Sequence, residues 1–117
     1  DIMEHVGCDS GTIHGSIHCD QYNHIENTQQ TGTYSIQTNT FHEYAIEWNE
    51  NSISWFIDDV LYFTFNKTND DYSSWPFDQK FFLILNLAVG GNWGGICSFN
   101  GNTFPQEYQI DYIRVFQ

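Results

Sequence analysis

Apolar and polar residues alternate along this chain in short runs, and a helical period is nearly absent. The clearest stretch is "FHEYAIEWNENSISWFIDDVLYFTF". Its alternation predicts strands over residues 41–48, 52–57 and 60–65. Turns at residues 49–51 and at Asp58-Asp59 join them into a three-stranded antiparallel meander. In "IHGSIHC", His14, Ser16 and His18 fall on one face of a strand and Ile13, Ile17 and Cys19 on the other, as at a sheet surface or along a wet cleft. Residues 81–89, "FFLILNLAV", are apolar on both sides and predict a central strand. Residues 107–116 predict a final one. Short strands separated by Asn, Asp, Gly and Thr clusters indicate an all-β, antiparallel sandwich or barrel. No repeat, linker or low-complexity tract divides the 117 residues, so residues 1–117 read as one domain or part of one.

The charge balance narrows the partners. Fifteen acidic residues face only three basic ones, for a net charge of −12. Lys67, Lys80 and Arg114 cannot build a phosphate-binding surface, which argues against nucleic acid and anionic membranes. No apolar run approaches the roughly 20 residues of a membrane span, and no feature calls for an obligate protein partner. An acidic surface with 18% aromatic residues suits a neutral polar ligand such as a polysaccharide, because Tyr and Trp pair flat apolar faces with polar edges. Acidity as a plain source of solubility is the alternative. Three cysteines, Cys8, Cys19 and Cys97, leave at least one unpaired within the chain. A Cys8–Cys19 bridge is open on spacing alone. Asn66-Lys67-Thr68 has the form of a glycosylation sequon.

The chemistry begins at the first residue. The opening "DIMEHVG" reads as strand, and regular alternation would send Asp1 and Glu4 to opposite faces. A β-bulge near Ile2-Met3 would re-aim one of them and set both carboxylates on one face. Paired carboxylates are the raw material of retaining glycoside hydrolysis; two solvated surface acids are the plainer reading. His14 and His18, four residues apart on a strand, would stand roughly 13 Å apart, too far to share one ion. Hydrogen bonding beside a carboxylate is the role their face suggests.

Six consecutive blocks, "DIMEHVG", "IHGSIH", "FHEYAIEW", "SWFIDDVLYFTF", "WPFDQKFFLILNLAVGGNWGG" and "IDYIRVFQ", resemble glycoside hydrolase family 16, and within it the laminarinase (endo-1,3-β-glucanase) type. They occur in the family's order and cover nearly the whole chain. The resemblance implies a concanavalin-like jelly roll with a sugar-binding cleft on its concave face. It also implies retaining hydrolysis of β-glucan without a catalytic cofactor, in a secreted or extracellular protein. The family motif, Glu-x-Asp-x-x-Glu in its bulged form, supplies nucleophile, assisting acid and acid/base. By that match Asp1 is the assisting residue and Glu4 the acid/base. The nucleophile would stand two places before Asp1, so the chain is expected to be the C-terminal half of a longer domain and inactive alone.

By the same resemblance His18 supports the catalytic centre and His14 lies beside it. Asp111 matches an aspartate that helps hold a structural calcium in many members. Asn86 interrupts an apolar strand, and a buried amide there either ties down backbone or reaches the cleft. Trp75 and Trp93 are candidates for stacking on sugar, with core packing as the alternative; Trp48 and Trp55 are expected in the core. The rival function is a non-catalytic β-1,3-glucan-binding protein of the same fold.

Overall fold

The computed structural model describes residues 1–95 and 104–117. Two compact units divide them, Asp1–Phe82 and Leu83–Gln117. The first holds five strands: β1 (Thr12–Ile17), β2 (Gln30–Ser35), β3 (Tyr44–Trp48), β4 (Ser52–Ile57) and β5 (Val60–Asn66). β1 and β2 form one antiparallel sheet and β3-β4-β5 a second.

The meander follows from local chemistry. Asn49 closes the first turn: its side-chain oxygen accepts from the backbone N–H of Asn51 (2.9 Å) and Ser52 (3.0 Å), the usual way an Asx side chain fixes a turn. Asp58 and Asp59 form the second turn with φ of 48° and 66°, the left-handed pair that a two-residue hairpin requires. Aspartate tolerates this region poorly compared with glycine, but the Asp58 carboxylate is anchored here. It accepts from the Glu43 N–H at 3.0 Å and meets His42 Nδ1 at 2.6 Å. Trp55 stands opposite Phe63 and Phe56 opposite Leu61, so Tyr62 is the extra residue of a β-bulge in β5.

The two sheets pack through glycine. Ile13, Gly15 and Ile17 on β1 stand opposite Tyr34, Gly32 and Gln30 on β2, so the Gly15–Gly32 pair opens a slot in that sheet. A Cβ on Gly15 would come within 2.5 Å of Tyr62 Oη and 2.6 Å of Trp55 Cδ1. A Cβ on Gly32 would collide with Phe63. The Trp55–Phe63 pair, with ring centroids 4.8 Å apart, fills that slot. Ile17, Ile53, Trp55, Phe65 and Trp75 form the buried cluster beneath it. Burial holds the Tyr62 hydroxyl protonated, its pKa raised to about 12.

Several expectations need correction. Residues 1–7 do not form a regular strand; they touch β1 through a bridge at Glu4. The polar run QTGTYS gave no strand signal, yet it forms β2 because β1 supplies its partner. Residues 81–89 and 107–116, expected as strands, join no ladder among the described residues, and Phe82 (82% exposed) and Val115 (69%) show their apolar side chains to solvent. Apolar composition does not make a strand unless neighbouring backbone satisfies its N–H and C=O groups. A short helix, α1 (Gly91–Gly94), takes part of the glycine-rich loop. Trp48 is 42% exposed at the end of β3, edge-to-face with Phe81, while Trp55 is buried as expected. Cys8 is disulfide-bonded and Cys19 is a free thiol, so the two do not bridge. Cys97 lies outside the described residues.

Candidate active site

The bulge near Ile2-Met3 is visible in the backbone pairing. The Ser16 N–H donates to the Asp1 carbonyl at 3.1 Å, and the Asp1 amino group donates to the Ser16 carbonyl at 2.6 Å. Glu4 and His14 exchange a second pair of hydrogen bonds, 2.9 and 3.0 Å. Two residues, Ile2 and Met3, therefore stand opposite Gly15 alone, which is a β-bulge by definition. Its effect is to bring both carboxylates over the polar face of β1. Ser16 Oγ donates to Glu4 Oε2 at 3.0 Å, and Asp1 Oδ2 lies 3.1 Å from His18 Nε2. From the core side, the Trp55 indole N–H donates to the Asp1 carbonyl at 3.0 Å.

Asp1, Glu4 and His18 each offer one polar atom, and all three atoms lie within 4.8 Å of one another. Burial pushes the His18 imidazole below its ordinary pKa, His24 adds to this, and Glu4 opposes it. The ring is therefore uncharged at neutral pH, and an uncharged imidazole facing a carboxylate presents its N–H to it. Such a trio can share and pass a proton. Two carboxylates and a neutral imidazole are also ligands that a borderline cation accepts.

His14 pairs with Glu4 through the backbone, and its Nε2 lies 3.8 Å from Asp9 Oδ2. Two residues that carried no assigned role in the sequence prove central. Ser16 is 2% exposed and holds Glu4, and Thr31 on β2 lies 3.1 Å from the Ser16 hydroxyl. The signal for Ser16 was its position between two histidines on the polar face; Thr31 could be found only from the β1–β2 register.

Other expected site residues fall elsewhere. Trp75 is not a sugar platform: it is 3% exposed, stacks on Phe65 at 5.8 Å and meets Phe77 edge-on. Its polar neighbours in sequence concealed a core position. Asn86 is exposed, and its segment joins no ladder among the described residues. Trp93 is 42% exposed within α1. Asp111 is exposed and stands outside every group of three or more His, Cys, Asp or Glu side chains among the described residues.

Comparison with known proteins places this geometry in a family. The family of glycosyl hydrolases family 16 matches residues 1–114. A beta-glucanase of Rhodothermus marinus is 45% identical over 124 residues, covering 100% of this chain and 43% of its own length. The crystal structure of the laminarinase from Rhodothermus marinus superposes with a TM-score of 0.84, covering 90% of this chain and 45% of that one. A non-specific endo-beta-1,3(4)-glucanase variant, crystallised with a glucan oligosaccharide at its active site, is 34% identical with a TM-score of 0.65, over 67% of this chain and 31% of its own. This chain thus spans less than half the length of these relatives. With an all-β antiparallel architecture, a bulged pair of carboxylates on β1's polar face and a match across nearly its whole length, the chain belongs to glycosyl hydrolase family 16.

Proposed function

We propose that this chain carries the acid/base side of a retaining endo-β-1,3-glucanase active site, with Glu4 as acid/base, Asp1 assisting and His18 supporting Asp1. The observation that carries the reading is the bulge, which sets Asp1, Glu4 and His18 within 4.8 Å of one another. By the family pattern Glu-x-Asp-x-x-Glu, the nucleophile is a glutamate two places before the assisting aspartate. In the first step that carboxylate attacks the anomeric carbon, the glycosidic C–O bond breaks, and Glu4 gives its proton to the departing oxygen. In the second step Glu4 takes a proton from water, whose oxygen displaces the enzyme carboxylate and restores the original anomer. Asp1 separates the roles of its neighbours by hydrogen bonding to the nucleophile, and His18 fixes Asp1 from the other side.

The ligand is a β-glucan of the laminarin kind. An extracellular setting accords with the disulfide at Cys8. The test is digestion of laminarin by the full-length protein with the anomeric protons followed by NMR. Reducing ends that appear first as the β-anomer are expected. First appearance as the α-anomer would contradict the mechanism. Retention on a laminarin gel without any cleavage would point to the glucan-binding alternative.

A further inference from the structure

We infer that Ser16 and Thr31 form a positioning relay that decides which oxygen of Glu4 carries the catalytic proton, an inference that rests on the acid/base reading of Glu4. The Ser16 hydroxyl has one hydrogen and two neighbours, Glu4 Oε2 at 3.0 Å and Thr31 Oγ1 at 3.1 Å. An ionised carboxylate can only accept, so the Ser16 hydrogen goes to Oε2 and Thr31 donates its own hydrogen to Ser16. A proton on Oε1 leaves this chain as it stands, whereas a proton on Oε2 would require both hydroxyls to turn round.

Ser16 cannot easily turn away. It is 2% exposed, its backbone is paired with Asp1 on one side, and it stands opposite Thr31 on the other. A buried hydroxyl that loses its acceptor is costly, so the donated bond is held. Glu4 has three side-chain torsions and is attached to β1 by a single bridge, so without this bond its carboxylate would sample several rotamers.

The consequence is chemical. The chain from Thr31 through Ser16 keeps Oε2 an acceptor, and no side-chain hydrogen bond reaches Oε1 among the described residues. Oε1 is therefore the oxygen that bears the proton before the first step, releases it to the glycosidic oxygen and receives the proton of water in the second. The relay itself neither gains nor loses a proton. Its two hydroxyls act through Glu4 and touch no substrate atom.

The test separates this role from simple support of the fold. Laminarin leaves as a sugar alkoxide and needs the proton; dinitrophenyl β-laminaribioside leaves as a stabilised phenolate and does not. In the full-length protein, Ser16→Ala is expected to lower kcat on laminarin roughly tenfold to a hundredfold with KM little changed, while the aryl rate falls far less. Thr31→Val, on the half-buried partner, should show the same selectivity with a smaller loss. Ser16→Thr, which keeps the hydroxyl, should recover much of the laminarin rate. Equal losses on both substrates in the Ser16→Ala and Thr31→Val proteins, or laminarin rates unchanged in both, would overturn the relay. Glu4→Gln run alongside separates the two ideas. If it shows the leaving-group selectivity and Ser16→Ala does not, the relay alone fails; if Glu4→Gln retains full laminarin activity, the acid/base reading itself fails.

Discussion

The two faces of β1 are built by opposite means. On one side Ile13, Gly15 and Ile17 meet the β4–β5 sheet, and what matters is shape: the absence of a side chain at Gly15 admits Trp55 and Tyr62. On the other side His14, Ser16 and His18 meet Asp1, Glu4 and Thr31, and what matters is the direction of each hydrogen bond. The core face tolerates no added volume, whereas the polar face tolerates volume better than the loss of one donor. Trp55 links the two. Its ring fills the core and its N–H holds the Asp1 carbonyl, so packing sets the placement of Asp1.

This contrast can be broken from the core side first. Trp55→Ala removes a large buried ring and the Asp1 anchor together, and is expected to cost about 3–5 kcal/mol in a denaturant titration of the full-length protein. Gly15→Ala should follow at about 1–3 kcal/mol, since the new methyl strikes two aromatic side chains. Trp55→Phe sharpens the comparison because it keeps an aromatic ring and drops the N–H. A loss near 1 kcal/mol is expected, with a fall in kcat larger than that loss alone would explain. A Trp55→Phe protein with full laminarin kcat would show that the core does not position Asp1.

The smallest effect lies away from β1, at the turn between β4 and β5. His42 Nδ1 faces Asp58 at 2.6 Å, and its Nε2 faces the Gln37 carbonyl at 2.7 Å and Thr40 Oγ1 at 3.0 Å. Facing a carboxylate and a carbonyl at once, the ring needs both of its N–H groups and so must be charged. The hydrogen bond to Asp58 raises the His42 pKa, with the Gln37 carbonyl adding to it, and the same bond lowers that of Asp58. The raised histidine stabilises the fold fully below its ordinary value of 6.5 and loses that effect as pH rises through the folded-state pKa. The lowered aspartate stabilises above its ordinary 3.8 and loses its effect as pH falls through the folded value. The pair therefore contributes most between 3.8 and 6.5. His42→Gln should lower Tm in that window, and the gap from the wild type should close well above neutrality. A constant gap at all pH values would contradict the pairing.

Much of the fold was legible because its signals are local. The meander announces itself through alternation and through Asn49 and Asp58-Asp59, whose side chains fix turns within a few residues. The bulge at Ile2-Met3 was legible too, since two acids three apart can share a strand face only if one residue is extra. Non-local features were hidden. Ser16 holds Glu4 and Thr31 completes the relay only through pairings between residues 12 and 15 apart in sequence. Trp75 and Trp48 exchanged places for a similar reason: Trp75 follows a polar run yet meets Phe65, and Trp48 ends a strand beyond the cover of the core. Residues 81–89 and 107–116 have strand composition, but a strand also needs a neighbour, and composition cannot name one.

The account turns on Glu4. The most direct measurement is kcat/KM of full-length wild-type and Glu4→Gln proteins on laminarin and on dinitrophenyl β-laminaribioside, whose leaving group needs no proton. Glu4→Gln should fall by roughly a hundredfold to ten-thousandfold on laminarin and far less on the aryl glycoside. A Glu4→Gln protein within a few-fold of wild type on laminarin would contradict the assignment of the bulged carboxylate as the acid/base.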